Sequence, residues 1–157
     1  MYRSQPRYTF AAVSLALLIL AQTFQELAYR FWIPKSRGPE DDLLIYLQPI
    51  ERLRAMLVLG TIVLLIVPFA VLALRYTKTA PLASLLGLIF GVGFVGFEFC
   101  HRSLDFFLVG GKWAREFTSA NLAERASILA RLERWNEISE AWYFPLLLSY
   151  LCHPARF

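Results

Sequence analysis

The chain has 157 residues, 57% of them from the set Ala, Val, Ile, Leu, Met, Phe, Trp, Tyr and Cys and only 18% charged, against about 25% charged in an ordinary soluble domain. Its apolar residues run on without interruption instead of recurring with period 2 or 3.6, which excludes a soluble enzyme, a disordered tail and a disulfide-stapled secreted module. Sixteen Lys and Arg against twelve Asp and Glu leave a net charge of +4. No basic run interleaved with aromatics accompanies that excess, so nucleic acid is not an expected partner and the charge reads as membrane topology.

The first apolar run, Phe10 to Ala21, follows a segment carrying Arg3 and Arg7. Twelve residues of helix rise only about 18 Å, the length of a secretory h-region. Gln22, Thr23, Phe24 and Gln25 then offer no small-x-small cleavage site, and helical periodicity continues through Leu27, Tyr29 and Phe31. An uncleaved first span over about residues 8–31 is expected. Residues 32–54 read as a loop, broken by Pro34, Gly38, Pro39 and Pro49 and carrying the acidic cluster Glu40, Asp41 and Asp42. Asp41 or Asp42 is expected to cap a short interfacial helix from Leu43 to Leu47.

The second span, residues 55–74, contains no charge and has the length of a ~30 Å hydrocarbon core. Pro68 is expected to kink it. A tight connection from Arg75 to Pro81 then makes an antiparallel hairpin with the third span, residues 82–109. That span is glycine-rich, with Gly87 and Gly91 on one face and Gly93, Gly96 and Cys100 on the opposite one, so two helices are expected to approach it closely. With no CxxC spacing, Cys100 and Cys152 read as packing residues.

Residues 110–137 read as a loop and an amphipathic helix. Asn121 with Glu124 three residues on has the pattern of a capping box. Ile128, Leu132, Trp135 and Trp142 form one stripe, expected to cover the bundle. The last apolar segment, within residues 138–152, is short for a bilayer and suggests a chain that continues past Phe157. The expected fold is all-α: one membrane domain over residues 1–157, a polytopic transmembrane helical bundle with four spans and an interfacial or covering helix before the last.

Orientation is contested by the charges. With the N-terminus inside, the inner segments hold five Lys and Arg and the outer ones eleven, which favours the reverse. The outer segments are longer and acid-rich, however, and the first segment often dominates. The N-terminus is therefore expected in the cytoplasm.

Two spans carry polar stripes. Glu98, His101, Arg102 and Asp105 recur at i, i+3, i+4, i+7 in the third, and Gln22, Gln25, Glu26 and Tyr29 repeat that spacing in the first. An ionisable residue at a helix centre costs about 2.5–3.5 kcal/mol to insert, so such residues mark function by default. The stripes lie at similar depth and are expected to face each other, with Glu26 or Glu98 pairing with Arg102. The bland reading is that they fix the register of the bundle through interhelical bonds averaging only about 0.6 kcal/mol each.

Glu98-x-x-His101 has the spacing found in di-iron helix bundles, but the chain has no second Glu-x-x-His. A mononuclear site from Glu98, His101 and Asp105 is the remaining metal reading. Three functional classes follow: non-enzymatic ligand binding, sensing or transport, which is favoured; an intramembrane metal-dependent hydrolase; and a structural or interaction subunit. No cofactor is expected. The bilayer is the expected partner, with a membrane-protein partner or a second copy of the chain as the other candidates.

Overall fold

A computed structural model describes residues 6–151, with side chains described from 6 to 142. Among these residues the structure is helical, with no strand. Among the described residues three helices are long and apolar enough to cross a membrane: Pro6–Trp32, Pro49–Tyr76 and Pro81–Ser119. The described residues divide into two compact units, the first holding residues 6–34 and 49–103 and the second 35–48 and 104–151.

In the first unit, α1 (Pro6–Leu27) packs against α3 (Pro49–Ile62) and α4 (Ile66–Tyr76). Its buried stripe is Ala11, Ser14, Leu18 and Ala21, which recur at steps of three and four. Three of these four are small, so the backbones can approach closely without large side chains intervening. Val58 and Ile62 supply the buried face of α3. The helix narrows to a 3-10 turn at Val63–Leu65. That turn contains Leu64, whose carbonyl lies four residues before Pro68 and cannot be met by an N–H that proline lacks, so the expected kink takes this form. Thr23 and Thr61 donate their hydroxyls back to the carbonyls of Ile19 and Leu57 at 2.8 and 2.7 Å, so neither carries an unmet donor along its apolar helix.

A short turn, closed by Ala80 N–H donating to the Tyr76 carbonyl at 2.8 Å, leads into α5 (Pro81–Leu104). The hairpin is keyed at one place. A Cβ at Gly91 would meet Phe69 Cγ at 2.6 Å, so only glycine admits the ring. Gly87, Gly93 and Gly96 have nothing within 4 Å of where a Cβ would stand. Close approach, expected on two faces of this helix, occurs at Gly91 alone among these four glycines.

In the second unit, α2 (Pro39–Ile45) is the short helix of the 32–54 segment. It begins earlier than expected: Gly38 occupies the cap position, Pro39 takes the first turn, and Glu40, Asp41 and Asp42 lie inside that turn, where the helix dipole favours acids. Nine residues of π-helix, Asp105–Trp113, lead into α6 (Ala114–Ser119). Only Ala120 and Asn121 separate α6 from α7 (Leu122–Leu151), so the loop expected from residue 110 is replaced by helix. The capping box is formed as expected: Glu124 N–H donates to Asn121 Oδ1 and Asn121 N–H to Glu124 Oε2, both at 3.0 Å. The core of this unit gathers Leu43, Val109, Trp113, Ala114, Phe117, Ile128 and Leu132, with Trp135 packed against it. The stripe on α7 thus covers α2, the π-helix and α6.

The expected fourth span is the C-terminal part of α7 and is not confirmed as a span. Its side chains beyond Trp142, and Cys152 altogether, lie outside the described residues.

Candidate functional site

The second span starts earlier than its charges suggest. With Pro49 opening α3, Glu51 and Arg54 fall one turn apart inside the helix and not in a loop. Both are buried, at 3% and 7% exposure. Arg54 Nε donates to Glu51 Oε2 at 2.7 Å, and Nη2 donates to Oε1, making the pair bidentate. The Arg54 guanidinium also stands 4.7 Å from the centre of the Tyr29 ring. Tyr29 belongs to a π-helical turn, Ala28–Trp32, that ends α1 and packs against α3.

A second ion pair, part-buried, lies on α5. Arg102 Nε donates to Glu98 Oε1 at 2.9 Å, with Glu98 8% and His101 4% exposed. Of the two partners expected for Arg102, the structure chooses Glu98. Arg54 over Tyr29 makes α1 and α3 antiparallel, and Phe69 on Gly91 does the same for α4 and α5. The end of α1, the start of α3 and the end of α5 therefore share one end of the first unit, as the matched stripes require.

The stripe on α1 does not bond to the one on α5. Gln22 and Glu26 are exposed and Gln25 is half-buried. Among the described residues none of the three makes a hydrogen bond or ion pair with Glu98, His101 or Arg102, and the Gln25 Oε1 is buried with no partner. Helix α1 instead turns its buried face to α3 and α4. Asp105 follows four residues after His101. It belongs to the second unit, where its Oδ1 accepts the Trp135 indole N–H at 2.6 Å. Among the described residues no group of three or more His, Cys, Asp or Glu stands close enough to hold a metal ion, so the expected trio of Glu98, His101 and Asp105 has no such cluster behind it.

The chemistry available at this end is two neutralised carboxylate–guanidinium pairs, a buried imidazole and a cation held on an aromatic face. The α5 pair was readable from its spacing. The α3 pair was hidden by ending the second span at its last charge; Pro49 at a helix start, followed by Glu-x-x-Arg, is the signal that marks it.

Comparison with protein-family models, curated proteins and solved structures finds no match.

Proposed function

We propose that this chain is an integral membrane protein that binds a small polar ligand or a proton at Glu98, His101 and Arg102, in the service of sensing or transport. The observation that carries this reading is the burial of a glutamate and a histidine in the C-terminal half of a helix apolar enough to span a bilayer, where polar groups are costly and tend to mark pathways. Gln22, Gln25 and Glu26, at the same end of the unit, form the polar approach to it. Its short basic N-terminal segment orients the N-terminus to the cytoplasm.

The test compares His101→Ala and Glu98→Gln with the parent in proteoliposomes, reading proton flux with a trapped pH dye and thermal shifts against phosphate, acetate, free amino acids and alkali cations. Function is expected to fall further than stability on the same preparations. Variants that lose thermal stability but keep every signal of the parent would reduce the cluster to structural glue.

A subunit role is the second reading, and a separate observation favours it. Only 17% to 22% of the apolar centre of each candidate span is buried, and Gly87, Gly93 and Gly96 face open space. A partner that co-purifies in mild detergent, with no signal in the binding and flux assays, would support this reading over the first.

A further inference from the structure

In the second unit, the π-helix and α6 run antiparallel to α7, tied by a series of side-chain rungs. Asp105 accepts from Trp135 at 2.6 Å. The Arg131 guanidinium lies 5.6 Å from the Trp113 ring centre, and its Nη2 is 3.7 Å from Glu116 Oε2. Arg125 stands 5.0 Å from the Phe117 ring centre.

The steps on the two sides differ. From Asp105 to Trp113 is eight residues, whereas from Trp135 to Arg131 is four. As α-helix those steps would rise about 12 Å and about 6 Å. A π-helix, with its i to i+5 bonds, is wider and shorter per residue, so it draws the ends of the eight-residue step toward the four-residue one. Just past its midpoint Gly110 is buried against the Tyr46 ring, 3.1 Å from where a Cβ would stand, and the stretch closes with Ala114 N–H bonded to the Val109 carbonyl. Nine residues are far more than the single-turn π-bulge that proteins ordinarily contain, and such bulges concentrate at functional positions.

We propose that Asp105–Trp113 is a two-state segment, kept in the π form by the grip of Trp135 and Arg131 on its two ends, and that release of α7 converts it to α-helix. The conversion lengthens the segment by about 3 Å and turns its ends relative to each other. Anything that pulls α7 away, whether a partner or a change at the membrane surface, is thereby transmitted along a helix axis. The proposal is argued from the pairing of the segment with α7 and not from the ligand-binding reading.

The test measures the distance between nitroxides at Leu104 and Thr118, both outside the core, by pulsed electron paramagnetic resonance on the full chain in nanodiscs. The Trp135→Phe, Arg131→Gln double variant is expected to lengthen it by about 3 Å, and no change would overturn the proposal. Should that variant fail to fold, deletion of Gly111 decides. Removing one residue from a fixed α-helix shortens it by about 1.5 Å, whereas removing one from a π-helix that thereby becomes α lengthens it by a similar amount. A longer distance in the shorter chain supports the two-state segment, and a shorter one overturns it.

Discussion

Breaking the Glu51–Arg54 pair one side at a time separates a buried ion pair from a surface one. Both side chains are nearly inaccessible, the contact is bidentate, and the Tyr29 ring covers the guanidinium. In Arg54→Met the carboxylate stays buried without its bidentate partner, and removal of one member of such a pair costs about 3–5 kcal/mol. Loss of the contact with Tyr29 adds about 0.5–2 kcal/mol. Glu51→Leu strands the cation and is expected to cost a similar 3–5 kcal/mol. The double variant Glu51→Leu, Arg54→Met removes both charges at nearly constant volume, and such replacements are often neutral or stabilising. The two singles therefore sum to about 6.5–12 kcal/mol, whereas the double loses little beyond the contact with Tyr29, about 0.5–2 kcal/mol, a coupling well above the 0.5–3 kcal/mol usual for neighbours. Reversible unfolding in mixed micelles, followed by helix content, gives all four corners of the cycle. Single variants each costing under about 1 kcal/mol, the range of exposed pairs, would refute the burial on which this rests.

Gly91→Ala is expected to destabilise the α4–α5 hairpin by about 1–3 kcal/mol through collision with Phe69, with partial rescue by Phe69→Leu, whereas Gly93→Ala and Gly96→Ala leave its thermal unfolding in detergent unchanged or slightly improved. Asn121→Ala removes half of the capping box and should cost about 1 kcal/mol, read as faster amide exchange over the first turn of α7. A cysteine at Thr77 should resist a membrane-impermeant thiol reagent in intact cells and react after lysis; labelling in intact cells reverses the orientation. Trp135→Phe, which deletes the indole donor to Asp105, should raise exchange at the start of the π-helix more than at α6.

Much of the architecture was legible because membrane helices are recorded in plain composition. Uninterrupted apolar runs located the three candidate spans, Pro68 located the break in the second, and Asn121 with Glu124 located the start of α7. The boundaries were less legible where charge was taken as the end of helix. Arg54 and Glu51 compensate each other within one turn, so a helix can carry them inward, and a rule that stops at the last charge misses this. Periodicity fixed which glycines share a face of α5 but not which face has a neighbour, because that depends on where Phe69 falls on another helix. The relation of Gln22, Gln25 and Glu26 to the α5 stripe was beyond reach for the same reason: depth follows from counting residues, whereas azimuth follows from packing. The π-helical stretches Ala28–Trp32 and Asp105–Trp113 leave no signature in residue type.

Both ion pairs close within a single helix, Glu51 with Arg54 three residues on and Glu98 with Arg102 four residues on. Their consequence lies in biogenesis. A charge whose counter-ion sits on a neighbouring helix must wait for that neighbour before it is neutralised, and until then it opposes entry of its own segment into the bilayer. Here α3 and α5 each bring a carboxylate together with its own guanidinium, so neither of these pairs waits for a neighbouring helix. Contact between helices is left to the small-residue face of α1 and the seat of Phe69 on Gly91, which need no charge.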